Sequence, residues 1–588
     1  MLEQGELAQA FARVRQAARR FLVVRIAQCG DGWFQPEHGP DRPTWENAAI
    51  AAGWRRAPQQ VAIDDYCDPD SAARAPRLLA FEKIADRALA AWPMADLLRD
   101  RNLHMDMSRE AGGRADAHMV RYALAATLVR PGDTVLDCAC GLGYGSAILA
   151  AQSAGGRFIG IDIDAGSVAY ASAVFDQYGI DYRAASATDL SCIEDDSVDL
   201  LVSFETIEHL DDYEAFLREA ARVLRPDGRI IASVPNLWVD ETGRDPNPWH
   251  FHAFDYRKFR ATMAAHFMVE ERWAQTAPGG FKLWEAPRAL ERLALDAPDD
   301  DTEWLILVAS CDPLARGAGR PYRHPGFASA APQEGCWLVD VAAHFDNPWL
   351  YRAMVQLGER VRDPALLRDL AARVLGESPM ASADFGAALT VLAYSLLEQP
   401  DEQHIDDALG LIGQYMGIDS DNPHLQRWQV SAAYVAARLA LLRGERALAQ
   451  GWFEAVEQAD FLAFSPLLAT KAIAASFQLG AMALAGGDEA RARLHFGRGV
   501  ASSRRALHAD DLNAIGNPDA PLAFGFTELA EVADMGAQCA GALALLPLYR
   551  RSPGQFWQRV DVKRFGVVSW AQAVERENAE LRRQLAAR

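Results

Sequence analysis

Two rhythms of apolar residues alternate along the chain from about residue 117. AHMVRYALAATLV carries apolar positions at helical spacing, and a PGD turn at 131–133 leads into the short apolar run Thr134–Leu136. A Gly-rich turn, a helix and the run Arg157–Ile161 follow. Then come strand-like Val198–Phe204, a helix over 212–224, a PDG turn at 226–228 and a strand over Arg229–Val234. Short apolar runs separated by amphipathic helices predict a parallel sheet covered on both faces. Phe267–Ala274 and Trp304–Ala309 close that sheet, so residues 106–313 are expected to form a doubly wound α/β domain on a mostly parallel, seven-stranded sheet.

The flanks read differently. Residues 1–105 predict an α+β extension: an amphipathic helix, a strand at Phe21–Ile26, a turn at GPDRP (39–43) and helical stretches such as 78–99, with no chemistry assigned. After a linker at 314–340, strand signals stop, and 341–570 read as an all-α domain. Within it, 437–456 and 480–500 superpose so that Gly444 matches Gly487, Ala447 matches Ala490 and Phe453 matches Phe496. Helix pairs joined at a Gly turn suggest a repeat resembling tetratricopeptide arrays, with an ordinary helical bundle as the equal alternative. At 571–588, Val574, Asn578, Leu581 and Leu585 make an amphipathic, coiled-coil-like terminal helix, a candidate for homo-oligomer formation.

At 588 residues the chain exceeds one hydrophobic core, and its formal charge of -21 argues against nucleic acid as partner. Eight scattered cysteines (Cys29, Cys67, Cys138, Cys140, Cys192, Cys311, Cys336, Cys539) have neither zinc-site spacing nor disulfide density. The N-terminus lacks an uninterrupted apolar core of a signal peptide, and no later stretch reads as about 20 apolar residues. The expectation is therefore a cytoplasmic protein without a transmembrane segment, with a peripheral position at the inner membrane kept open.

Candidate chemistry begins at VLDCACGLGYGS, 135–146, between a strand and a helix. Gly141, Gly143 and Gly145 let the backbone turn and approach a ligand at the end of a parallel strand. The spacing is GxGxG, and Asp137 precedes it by four residues, a carboxylate that suits a ligand carrying ammonium and sulfonium charge. DxACGxGxG resembles motif I of class I methyltransferases, which have a Rossmann-like fold and use S-adenosylmethionine. The resemblance continues in order: Asp162 and Ile163 end the second strand, Ala187, Thr188 and Asp189 follow the third, DSVDLLVSFETIEHL carries the fourth, and EAARVLRPDGRIIASVPN the fifth. It implies cofactor binding by Asp137, Cys138, Gly141, Gly143, Asp162, Ile163, Ala187, Thr188, Asp189 and Phe204.

Acceptor chemistry is expected at the carboxyl ends of strands four and five. Glu205, Glu208 and His209 would share a face if the chain turns helical there. Three roles stand open: cofactor contact and capping, His209 as general base, or all three as ligands of a Mg- or Mn-like ion, as in the similar ubiquinone-biosynthesis O-methyltransferases. In NPWHFHAFD, His250 and His252 are two apart and would face one side of an extended segment as base or acceptor-binding groups. This segment, HMVRYALA and GYGS resemble methyltransferases of bacterial O-antigen and capsule clusters, which implies a sugar hydroxyl as acceptor and a glycosyltransferase or polysaccharide-assembly partner on the helical half. A phenolic or protein acceptor, and an inactive scaffold, are the alternatives.

Overall fold

The computed structural model describes residues 4–25, 42–61, 78–100, 105–130, 132–238, 245, 247–276, 289–298, 302–322, 344–355, 364–509 and 523–562. The terminal segment 571–588, most of the linker and Cys29, Cys67 and Cys336 lie outside them. The chain divides into two compact units, Met1–Asp312 and Pro313–Arg588.

In the first unit, helices α1 (Gln4–Ala17) and α2 (Arg42–Ala51) accompany a small sheet of β1 (Phe21–Arg25), β2 (Trp54–Arg56) and β3 (Leu78–Lys83), ordered β1-β3-β2 and antiparallel throughout. Leu7, Phe11, Trp54, Leu79 and Phe81 form its core. The helix expected at 78–99 therefore begins as a strand. Leu79 and Phe81 point inward beside exposed Leu78, a period of two that tertiary pairing favours over helical propensity.

The large sheet contains β4 (Thr134–Cys138), β5 (Arg157–Asp162), β6 (Asp181–Ala184), β7 (Val198–Phe204), β8 (Leu224–Pro235), β9 (Met268–Thr276), β10 (Ala289–Leu293) and β11 (Trp304–Ser310). Its order is β10-β9-β11-β8-β7-β4-β5-β6. The pairings from β6 to β8 are parallel, and those of β11 and β10 are antiparallel. The sheet is thus mixed and eight-stranded rather than seven-stranded, because the short β10 adds a hairpin to the edge at β9. β4, β7 and β8 are almost wholly buried, which explains their unbroken apolar character. The PDG turn is a bulge inside β8 rather than its start: Val198 pairs with Leu224 and Leu200 with Arg229, so residues between loop out.

Helices α3 (Gly113–Ala126), α4 (Tyr144–Gln152), α5 (Ala165–Val174), α6 (Tyr213–Val223) and α7 (Tyr256–Ala264) accompany the sheet. Asp164, Asp212 and Asp255 cap α5, α6 and α7 by accepting from Ser167, Ala215 and Lys258 backbone N–H groups. The connection order reverses between β4 and β7, so a crevice opens at their carboxyl ends, where open α/β sheets bind ligands.

Residues 1–105 do not stand apart as a separate domain. Arg42 and Arg56 of the N-terminal segment pair with Asp116 on α3, and Arg55, fully buried, joins Glu82 at 2.8 Å and donates to the Val174 carbonyl at 2.7 Å. Removing one member would strand a buried charge at a cost of about 3–5 kcal/mol.

The second unit is helical: α8 (Pro364–Glu377), α9 (Ala383–Glu398), α10 (Glu402–Met416), α11 (Pro423–Leu442), α12 (Arg446–Gln458), α13 (Ala469–Ala485), α14 (Glu489–Leu507), α15 (Ala523–Tyr549) and α16 (Pro553–Val562), with shorter helices ahead of them. α11–α12 and α13–α14 turn in the same way. Gly444 and Gly487 have φ of 78° and 80°. Their N–H groups reach Leu441 and Leu484, while Glu445 and Asp488 reach back to Ala440 and Ala483. This paired 5→2 and 6→1 bonding is a Schellman ending, which requires a left-handed residue. Two helices, Pro466–Ala485 and Glu528–Tyr549, have the length and composition to cross a membrane, a test that the core helices of soluble proteins also pass. Much of their apolar surface packs inside the unit, through Ala472, Ile473 and Leu479 on one and Ala542 and Leu546 on the other.

Candidate functional site

The crevice is built on the turn after β4. Asp137 is buried at the strand end, accepting from Ser146 Oγ at 2.6 Å and from Tyr122 OH at 3.3 Å. Burial pushes its carboxyl up to about 7, against the opposing pull of those two hydrogen bonds. Ala139 has φ of 64°, so the turn holds a strained non-glycine residue. Gly141 (φ 53°) borders open space, since a Cβ there would meet nothing within 4 Å. At Gly143 (φ 81°) a Cβ would lie 2.6 Å from the Ala171 Cβ and 2.7 Å from Tyr182 OH. Gly145 belongs to α4 rather than the turn: a Cβ there would strike the Tyr122 ring at 2.0 Å.

Asp162 ends β5 and accepts from Gly141 N at 2.8 Å and Asp164 N at 2.9 Å, which locks the two strand ends together. Ile163 beside it is 77% exposed. Ala187 is buried, Thr188 bonds Ser186 at 2.9 Å, and Asp189 bridges to Ser186. Phe204 packs edge-on against Tyr122, with ring centroids 5.0 Å apart. The Cys138 side chain is in the core with Leu136, Ile159 and Ile161, where burial holds its thiol far above the usual range, so any ligand contact falls to its backbone. An open glycine backbone, two carboxylates at adjacent strand ends and an exposed apolar rim fit a cationic, ribose-bearing cofactor.

Beyond β7 the structure separates residues that spacing had joined. Glu205 has φ of 53°, and its carboxylate meets Arg121 at 2.7 Å, Ser233 Oγ at 2.9 Å and Trp304 Nε1 at 2.9 Å. It is therefore not in the cluster expected with Glu208 and His209. Residues Ile207–His209 form a single 3-10 turn, too short for the shared helical face. Instead Glu208, His209 and His250 offer ligand atoms within 4.8 Å of one another.

Each member of that trio has a distinct state. Glu208 is buried, both carboxylate oxygens lack a partner among the described residues, and burial drives its pKa upward, with Glu205 adding to the effect. His209 Nδ1–H donates to the Trp249 carbonyl, 2.9 Å away, because a carbonyl only accepts, and in the neutral ring Nε2 keeps the lone pair. Burial lowers the His209 pKa below the usual range. His250 contacts Asp245 through Nδ1 at 2.6 Å and Asn247 through Nε2 at 2.9 Å, and its ring lies 4.7 Å from that of His209.

His252 leaves the group. Its Nε2 contacts the Asp211 carbonyl at 3.2 Å and its ring packs on Tyr213, so the extended-strand expectation that it would share a side with His250 fails. The N–H groups of Phe251 and His252 both reach the Glu208 carbonyl, which bends the segment over the 3-10 turn. Asp245, Asn247 and Arg121 were missed as supporting groups. The first two lie in RDPNPWH, where an Asx residue ahead of a histidine was the available signal.

Comparison with known proteins agrees with this geometry. Residues 136–232 match a family described as a methyltransferase domain. A "Probable S-adenosylmethionine-dependent methyltransferase" of Mycolicibacterium smegmatis is 33% identical over 180 residues, covering 29% of this chain and 68% of that protein. A protein of the same description from Mycobacterium tuberculosis is 32% identical over 173 residues, 29% of this chain and 58% of its own length. The "Ubiquinone biosynthesis O-methyltransferase" of Xanthomonas campestris is 32% identical over 113 residues, 19% of this chain and 47% of its own length. The chain belongs to the S-adenosylmethionine-dependent methyltransferases, and S-adenosylmethionine is its cofactor.

Proposed function

We propose that this protein is an O-methyltransferase whose acceptor hydroxyl is held at Glu208 and His209, with His250 packed beside them, and that the acceptor is a sugar hydroxyl of a bacterial surface glycan or its precursor. The carrying observation is the buried Glu208 carboxylate, unpartnered among the described residues, with the imidazoles of His209 and His250 beside it just past the parallel strand ends. The NPWHFHAFD and HMVRYALA segments support the sugar. So do Trp249 and Phe251, 54% and 58% exposed, as apolar faces for a sugar ring.

S-adenosylmethionine supplies a methyl group on a sulfonium. His209 Nε2, unprotonated at neutral pH because burial disfavours its cation, takes the hydroxyl proton as the oxygen–methyl bond forms and the sulfur keeps the electrons of the broken bond. His250, with Nδ1 on Asp245 and Nε2 on Asn247, has both ring nitrogens engaged and positions the His209 imidazole by ring contact, centroids 4.7 Å apart.

The Glu208 oxygens, orphaned among the described residues, also favour a second reading, in which Glu208, His209 and His250, its Nε2 exchanging Asn247 for the metal, would hold a divalent ion that acidifies the hydroxyl. Two imidazoles and one carboxylate suit Mn or a borderline ion better than Mg, which prefers oxygen donors. A phenolic acceptor is the alternative substrate, suggested by the similarity to ubiquinone-biosynthesis enzymes. We assign the helical unit, as an array of helix pairs, to docking a glycosyltransferase or assembly partner in the cytoplasm or at the inner membrane surface.

The test is transfer of labelled methyl from S-adenosylmethionine into cell-derived glycan and lipid-linked fractions and into catechol-type phenols, with and without a chelator. Label in the glycan fraction, with His209→Ala lowering kcat by about 10²–10⁴-fold at unchanged S-adenosylhomocysteine affinity, is the expected result. Label only in phenols would replace the substrate, and no transfer at all would leave the scaffold alternative.

A further inference from the structure

We propose that the helical unit carries a binding site for an organic phosphate of the nucleoside diphosphate class, in a concavity of about 610 Å³ between α8, α9, α11 and α13. That volume lies in the range of small-molecule sites. Arg368, Arg427, Arg438 and Lys471 line it, and Glu398 is the acid among its walls. Among the described residues no carboxylate pairs with any of these four cations within 4 Å. Elsewhere in the same unit Arg443, Arg491, Arg498, Arg505 and Arg550 each have an acidic partner. In a chain of net charge -21, four cations with no carboxylate partner among the described residues around one concavity are a local anion-attracting field.

Two further features favour a ligand over a solvated basic patch. Trp428 also lines the concavity, is only 3% exposed, and its indole N–H has no acceptor among the described residues. A buried donor without a partner calls for one. Lys471 is not free to swing away: its ammonium donates to Tyr394 OH at 3.1 Å and lies over the Tyr394 and Tyr434 rings. Glu528 faces Lys471 and Arg427 from α15, but burial raises its pKa and weakens it as a permanent counter-charge. Planar guanidinium groups bind phosphate oxygens in pairs. Inorganic phosphate would fill a small part of this volume, whereas Tyr394, Thr390 and Ser395 offer a ring face and hydroxyls for a nucleoside.

The inference is independent of which acceptor is methylated. Its test is calorimetric titration of the full chain, saturated with S-adenosylhomocysteine to block the other nucleoside site, with UDP, inorganic phosphate and uridine. UDP should bind, more tightly than phosphate and more weakly as salt rises, while uridine should give no signal. The double variant Arg368→Gln/Arg438→Gln should weaken UDP at least about tenfold and leave S-adenosylhomocysteine affinity unchanged, which establishes that it is folded. Arg427 is left intact because it packs on Trp428 at 4.2 Å. Absence of UDP binding, or equal affinity in the double variant, would overturn the site, and phosphate binding as tightly as UDP would overturn the nucleoside assignment.

Discussion

Glu205 sits one residue past the end of β7 in a left-handed backbone conformation, and its partners explain why that strain is tolerated. Arg121, fully buried, has this carboxylate as its ion-pair partner at 2.7 Å, and the same carboxylate receives Ser233 and Trp304. Glu205→Ala would therefore leave a buried guanidinium uncompensated and should destabilise the first unit by about 3 kcal/mol. Glu205→Gln, which keeps the acceptor oxygen, should cost less. Thermal unfolding measures both, and any divalent metal bound to the protein should be unchanged in amount. Loss of metal at full stability would return Glu205 to the ligand set. A second residue-scale consequence concerns Asp137, whose carboxyl stands at about 7 against about 3.9 in an unfolded chain. A raised folded pKa means that the native state holds the extra proton. Its stabilising contribution is complete below the unfolded value and fades as pH rises toward 7, by up to about 1.4 kcal/mol per pH unit. Asp137→Asn should remove that slope from the difference in unfolding free energy between pH 5 and 7. Binding of the cationic cofactor favours the carboxylate, so calorimetry near pH 6.5 in two buffers of different ionisation enthalpy should detect proton release that the variant lacks.

At the level of elements, the glycines of motif I divide into two kinds that the sequence alone could not separate. Gly141 and Gly143 serve backbone conformation, with positive φ, whereas Gly145 serves contact inside α4. Gly145→Ala should displace Tyr122 from Phe204 and from Asp137, costing about 1–3 kcal/mol and weakening S-adenosylhomocysteine binding. Unchanged affinity and melting temperature would mean that the helix shifts freely. The buried strands β4, β7 and β8 were legible because unbroken apolar runs and turn residues bound them. Two strands of the large sheet were not. β6 is short and half-buried, so DYRA gives no apolar run, and β10 (ALERL) alternates weakly at a sheet edge. The 78–99 misreading has the same root, since Leu78–Lys83 carries helix-forming residues that acquire a strand conformation only by pairing with β1 and β2. In the site, spacing identified Glu208, His209 and His250 as individual candidates. The fold decided their grouping, because the chain reverses at Asn247 and brings His250 over a turn that sequence spacing had treated as a helix.

For the molecule as a whole, the cores are as informative as the motifs. The clusters around β4 to β11 contain only residues before 312, including those beneath the cofactor turn. The helical clusters contain only residues after 313. Each unit thus buries its own apolar surface, and burial of that surface is the dominant favourable term in folding. Every residue assigned to the cofactor, from Asp137 to Phe204, belongs to the first unit, as do Glu208, His209 and His250. The N-terminal segment cannot be trimmed in the same way, since Arg42, Arg55 and Arg56 neutralise or anchor groups on α3 and α5. The expected outcome is that a fragment of residues 1–312 folds cooperatively and binds S-adenosylhomocysteine within about threefold of the full chain, a difference under about 0.7 kcal/mol. A fragment beginning at residue 106 should bind poorly and melt lower, because Asp116 is then buried without its arginines. Circular dichroism melting and calorimetry on the two fragments check both. Loss of binding in 1–312 would mean that the helical unit contributes to the cofactor site, and tight binding by the shorter fragment would mean that the buried arginine network is dispensable.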